Sequence, residues 1–141
     1  ELAERASDAV RGAMLEGVLP GGGVALLACQ PAVARLLEQA TDADGRAAFR
    51  TLHRALEEPM RAVIENAGHD PSEIMAQVRH APAGYGFDAT CGAVLDMAEA
   101  GVFDSASALS QAVLTAVTGA GLALTTDVLV HKRRPTQEFN P

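Results

Sequence analysis

Gly21, Gly22 and Gly23 stand in a row directly ahead of the apolar run "VALLACQPAVARLL". Glycine loses the most backbone entropy on folding, so a triplet at the mouth of a helix calls for a cause. One cause is chemical: free N–H groups and the positive end of the helix dipole form a receptor for phosphate or another anion. The other is a plain chain reversal. Neither a G-x-G-x-x-G dinucleotide fingerprint nor a G-K-[ST] phosphate loop is present, so spacing alone does not choose. Asp104 also has two candidate jobs. It can cap the helix next to it, or accept hydrogen bonds from a ribose or another polyol, and a carboxylate has acceptor sites enough for both. "GYG", residues 84–86, is either a turn or a second close approach of backbone to a ligand.

Other chemistries find little support. His53, His69, His80 and His131 show no metal-ligand spacing with one another or with cysteine, so no metal site is assigned. Cys29 and Cys91 lie far apart among apolar or small residues. They are expected as two small buried hydrophobes in a reducing compartment, with one disulfide as the alternative. A formal net charge of −7 argues against a nucleic-acid surface, which needs clustered Lys and Arg. The basic run "HKRR", residues 131–134, reads as a solvated tail, with phosphate contact as the minority view. The opening "ELAERASDAV" is charged and amphipathic, unlike a secretory signal. Residues 105–126 carry no charge, a run long enough to cross a bilayer. Eight of those residues are Ser, Thr or Gln and two are Gly, a poor hydrocarbon segment. A helix apolar on all sides is equally the pattern of one buried in a larger body, so no membrane partner is expected.

The elements that must position these groups are helical. A chain of 141 residues that is 48% apolar suits one domain with a real core. With aromatics at 4%, that core must come from Ala, Val, Leu and Met, which favours closely packed helices. Leu2, Ala6, Ala9, Ala13 and Leu15 predict a part-exposed helix over residues 1–16, ended by Gly17. A second helix is predicted from about residue 22 to 37. "TDADG" supplies turn chemistry and a cap for the next helix. Phe49, Leu52, Leu56, Met60 and Val63 recur at helical steps, and Pro59 either kinks that run or starts a new helix. Gly68 closes it. "DPSE" is a helix start, with Asp70 as cap and Pro71 in the first turn, for a helix to about residue 79. "APAGYGFDATCGA" reads as loop or hairpin, residues 104–127 as the last helix, and "VLV", residues 128–130, as an edge strand needing a partner. The class is mainly α with a small β-hairpin and a C-terminal edge strand.

Taken in order, "EGVLPGGGVAL", "LEEPMRAVIENAGHDPSEIMAQV", "GYGFDA", "GVFD" and "ALTTDVLV" resemble the C-terminal part of the bacterial group I chaperonins, the GroEL type. The likeness is collinear over roughly residues 3–130, with the glycine triplet and "GVFD" its most specific pieces. It implies that residues 1–16 are a helix of the intermediate domain, that residues 17–131 are the second half of the equatorial domain, and that residues 132–141 form a disordered tail. It further implies an ATP-dependent chaperone in which Gly22 lies against the nucleotide ribose. Asp88, Ala89 and Thr90 would flank the adenine base, and Asp104 would bond the ribose hydroxyls.

The departures carry as much weight. The family's water-positioning aspartate aligns with Arg5, next to Glu4 and one turn from Asp8, a weak substitute; a cation there is no general base. No catalytic residue is therefore assigned. The resemblance places the phosphate loop and the metal-binding aspartate in the family's N-terminal half. ATP with its magnesium and potassium ions would then belong to the full-length protein, and this chain by itself is expected to be inactive. The implied partners are other chaperonin subunits in homo-oligomeric rings, non-native client proteins through an apical domain, and a co-chaperonin, all in the cytoplasm. The apolar faces of Phe49, Leu52 and Leu56, and the last helix, are expected to be left uncovered. Arg5 and the tail "HKRRPTQEFNP" motivate an alternative: a chaperonin-like interaction module without an ATPase cycle.

Overall fold

Helix α1 (Leu2–Glu16) ends where Gly17 takes a φ of +89° and its N–H reaches back to the Ala13 carbonyl at 2.9 Å, a left-handed cap. After it come β1 (Val18–Pro20), α2 (Val24–Ala28), α3 (Gln30–Gln39), α4 (Ala43–Ala55), α5 (Glu58–Asn66) and α6 (Pro71–His80). The hairpin strands β2 (Tyr85–Asp88) and β3 (Ala93–Asp96), the strand β4 (Phe103–Ser105) and α7 (Ala106–Leu124) complete the order. This computed structural model describes residues 2–128 and residue 130. Two compact units divide the chain, Glu1–Leu109 and Ser110–Pro141. The architecture is mainly α, as the periodicities predict.

Local chemistry accounts for most boundaries. Asp42 accepts from Gly45 N–H at 2.6 Å to start α4, and Asp70 accepts from Ser72 N–H at 2.8 Å to start α6. Each carboxylate satisfies a donor that has no partner inside the helix. At the end of α5, Gly68 N–H bonds the Glu65 carbonyl at 2.9 Å and His69 N–H bonds the Ile64 carbonyl at 3.1 Å. That pair of bonds is a Schellman motif, with Gly68 at φ +84°. Pro59 opens α5 in its first turn instead of kinking a longer helix.

Several sequence expectations need correction. The helix predicted over residues 22–37 is two helices broken at Cys29, because Pro31 has no N–H to carry the ladder across. Asp104 lies within β4, and α7 begins at Ala106, so the position ahead of the helix falls to Ser105, whose Oγ meets Ser107 Oγ at 2.9 Å. The last helix stops at Leu124, where the hydroxyls of Thr125 and Thr126 both bond the Leu122 carbonyl at 2.9 Å. Val128 and Val130 are not in a strand, and Leu129 lies outside the described residues. Both cysteines are free and exposed: Cys29 sits at the helix break and Cys91 in the hairpin turn, each outside the core.

The core of the first unit gathers Val24, Met60, Ile64, Ile74, Met75, Val78, Phe87 and Met97. Met60 and Ile64 are fully buried. Leu56, expected to be uncovered, is buried, and Phe49 and Leu52 are half-buried on the helix that pairs with α3. Gln30 fastens that pairing with a 2.8 Å bond to the His53 carbonyl. Two antiparallel strand pairs finish the unit. The hairpin joins β2 to β3, and β1 joins β4 in the register Val18 to Ser105, Leu19 to Asp104 and Pro20 to Phe103. No residue of α7 is buried, and with a mean hydropathy of 1.4 over 19 residues it is long and apolar enough to cross a membrane.

Gly23 and Gly68 share a φ of +84°, but only Gly23 is crowded. A Cβ on Gly23 would lie 3.0 Å from both the backbone nitrogen and Cβ of Met60, whereas one on Gly68 would meet nothing within 4 Å. Gly68→Ala is therefore expected to cost about 1–2 kcal/mol, the left-handed penalty alone. Gly23→Ala should cost a further ~1–3 kcal/mol for overpacking against α5. Chemical denaturation of both variants measures the difference; equal losses would show that Met60 yields without cost.

Candidate functional site

The glycine turn is bare because protein occupies the space at all three positions. Gly21 donates to the Val102 carbonyl at 3.0 Å, and a Cβ there would lie 3.2 Å from that carbonyl. Gly22, at φ +68°, has room for a Cβ only 3.0 Å from Met97 Cε and 3.5 Å from the Phe87 oxygen. Gly23 abuts Met60. The anion-receptor reading is weakened as well: α2 has five residues, and Val24 N–H already donates to the Gly21 carbonyl at 3.3 Å. "GYG" behaves alike. Gly84 turns the chain at φ +92°, while a Cβ on Gly86 would run into the Val24 side chain and approach Met97 Sδ at 3.1 Å.

The hairpin presents Asp88, Ala89 and Thr90 at its turn. Asp88 pairs with Ala93, and its carbonyl accepts from Gly92 N–H at 2.8 Å, closing the loop. Asp88 Oδ1 accepts from the Thr90 hydroxyl and from Thr90 N–H at 2.8 Å, and Cys91 Sγ lies 3.6 Å from Oδ2. These bonds favour the charged carboxylate, the Thr90 hydroxyl most and the Thr90 N–H next, and they hold its pKa below the ordinary aspartate value. Ala89 and Thr90 are exposed. Behind them Phe87 is buried in the core and meets the His69 ring edge-on at 5.2 Å.

Asp104 is half-buried on β4, opposite Leu19. Among the described residues its carboxylate has no hydrogen bond or ion pair. The segments that carry Gly22, Asp88 and Asp104 are neighbours: Gly22 packs on Phe87, and Gly21 bonds Val102 just ahead of β4. Arg5 and Asp8 share one face of α1, both exposed. That helix meets the β4–α7 junction at Gly12, where a Cβ would press on Ser107. Arg5 lies two turns from Gly12, about 10 Å along the axis. Nor do Gly22, Asp88, Ala89, Thr90 or Asp104 line the open groove of about 600 Å³, which is bordered by Val24, Leu27, Pro31, His53 and, from the "GYG" segment, Gly84 and Tyr85. No group of three or more His, Cys, Asp or Glu among the described residues is placed to hold a metal ion.

Sequence reasoning passed over Met97 and Val102, the residues that tie the turn to β2 and β4. Both stand in the mixed stretch 88–104 among other apolar residues such as Val94, Leu95 and Phe103, where no periodicity marks out the two that pack inward.

This geometry belongs to a chain with a recognisable lineage: the family model described as the TCP-1/cpn60 chaperonin family matches residues 2–134.

The Asp88 turn predicts a pH response whose sign is fixed. Its folded pKa is lowered, so the stability it contributes is full above the ordinary aspartate range and lost as pH falls through the folded value. Carboxyl NMR titration should place the Asp88 midpoint below that of an unstructured aspartate. Thr90→Val, which keeps the N–H but removes the hydroxyl, should return it part of the way; an unmoved midpoint would show that the hydroxyl contributes nothing.

Proposed function

The chain belongs to the TCP-1/cpn60 chaperonin family, and on that premise we propose that it is the C-terminal portion of a bacterial group I chaperonin of the GroEL type. Family membership carries a chaperone role in protein folding and assembly with other chaperonin subunits. In the proposed reading, residues 1–16 belong to the intermediate domain and residues 17–131 to the equatorial domain of an ATP-driven cytoplasmic folding machine. The chain supplies half of a nucleotide pocket and contacts between subunits of a homo-oligomeric ring. Client proteins and a co-chaperonin engage an apical domain elsewhere in the full-length protein.

The observation that carries this reading is the Asp104 carboxylate, half-buried and unpartnered among the described residues, on a strand tied to the glycine turn. A carboxylate kept from protein partners is suited to accept from ribose hydroxyls. Gly22 offers half-exposed backbone without a side chain, and Ala89 with the Thr90 methyl offers a small exposed apolar surface to the flat face of a base. This set fits a nucleoside. The phosphates, magnesium and potassium are assigned to the other half of the equatorial domain. Bound ATP would supply the phosphoanhydride whose cleavage drives the folding cycle. Arg5, standing where the family carries its water-positioning aspartate, favours a second reading, an interaction module that binds without turnover.

Because Asp104 does not occupy the cap position of α7, its substitution separates binding from stability. In the full-length protein, Asp104→Ala should weaken ATP binding by about 1.5–3 kcal/mol, the range for a hydrogen bond to a charged group, and Asp104→Asn, which keeps an uncharged acceptor, should weaken it by less. The folding free energy should change by no more than about 0.5 kcal/mol, since neither substitution removes a hydrogen bond or a helix cap. Titration calorimetry gives the affinity, and an unchanged value removes Asp104 from the pocket. ATP binding without steady phosphate release would select the second reading.

A further inference from the structure

Met97 stands one residue beyond β3, outside any helix or strand, yet it is only 1% exposed. Its side chain lies against two glycines at once. A Cβ on Gly22 would be 3.0 Å from Met97 Cε, and one on Gly86 would be 3.0 Å from Cγ. Its backbone makes two more ties: the N–H donates to the Gly84 carbonyl at 3.2 Å, and the carbonyl accepts from Val102 N–H at 2.8 Å. One residue therefore touches the glycine turn, the inner face of β2 and the chain leading into β4. An unbranched thioether suits this place, because it can thread an irregular gap between two bare backbones.

We propose that Met97 is the positioning residue of the nucleotide site, setting where Gly22, Asp88 and Asp104 stand relative to one another. It touches no nucleotide itself. The tip of its side chain props the Gly22 turn against the Phe87 carbonyl, and its carbonyl holds Val102 two residues ahead of Asp104. The functional half of this inference rests on the nucleotide reading proposed for the chain, whereas the mechanical half stands on the chain alone.

Two variants and one control test both halves. Met97→Leu conserves volume and so keeps most of the core, but it lacks the terminal methyl that reaches Gly22. Met97→Ala removes the prop. Leu56→Ala opens a cavity at a buried residue outside the Met97 cluster and lowers stability without touching the turn. In amide NMR spectra of the chain, both Met97 variants should shift the Gly22, Thr90 and Asp104 resonances and speed their hydrogen exchange. Leu56→Ala should leave their positions in place. In the full-length protein, Met97→Leu should weaken ATP binding roughly tenfold, within the range by which contacting groups couple, at nearly unchanged melting temperature. Amides unmoved by the Met97 variants, or moved as far by Leu56→Ala, overturn the proposal. Moved amides with full ATP affinity overturn its functional half. Moved amides in a protein that binds no ATP, wild type included, refute the nucleotide reading and leave the mechanical role standing.

Discussion

Three distant segments close on residues 21–23 so tightly that an added carbon at any of them would lie about 3.0 Å from its neighbour. Val102 closes on Gly21, Met97 on Gly22 and the α5 backbone on Gly23. Much else in the first unit depends on that contact. The turn can lie so low only because two of its residues take left-handed φ values, which glycine adopts without a Cβ penalty. Its depth brings β1 alongside β4, seats the start of α2 over the fully buried Met60, and sets Phe87 beneath Gly22. The question raised by the triplet has a structural answer in the chain itself: protein lies against those glycines. A ligand on the outer side of Gly22 is compatible with this answer, but it is not needed to explain the residue.

The carboxylates of the first unit divide by what they do. Asp42 and Asp70 begin helices, and Asp88 folds the hairpin turn, each through bonds to N–H groups two or three residues onward. Such bonds fasten short segments that carry no core of their own. Asp104 differs in kind. It sits on a paired strand with no side-chain partner among the described residues, so its charge contributes to no local turn. A group held in place by its backbone and left free at its carboxylate is available for recognition, and the proposed pocket rests on this contrast between Asp88 and Asp104.

Helix α7 poses a different problem. Its exposed Leu114, Val117, Leu122 and Leu124 lie on more than one side, and the stretch around them has no charge. Water contact on that scale is unfavourable by roughly 25 cal/mol per Å² of apolar surface, so surroundings that cover it are strongly favoured. The serines, threonines and glycines spread through the helix suit contact with protein better than with hydrocarbon.

What could be read directly were features governed by bonds between near neighbours. Gly17 and Gly68 as helix ends, Asp42 and Asp70 as helix starts, and the turn chemistry of the hairpin all depend on contacts within a few residues. Residue type and spacing encode such contacts completely. The break at Cys29 was equally local, written in Pro31, and was read past because the apolar run continued on both sides of it. Tertiary structure alone decided the β1–β4 pair, since two strands of three residues have no periodicity to announce them and their partners lie at opposite ends of the unit. That pairing took Asp104 from the helix start that its neighbours suggested and placed it on a strand beside the glycine turn. The resemblance named Gly22, Asp88, Ala89, Thr90 and Asp104 separately. That the segments carrying Gly22, Asp88 and Asp104 are neighbours, and that Met97 is buried between them, came from packing, because an apolar residue in a loop acquires a position only when distant segments close around it.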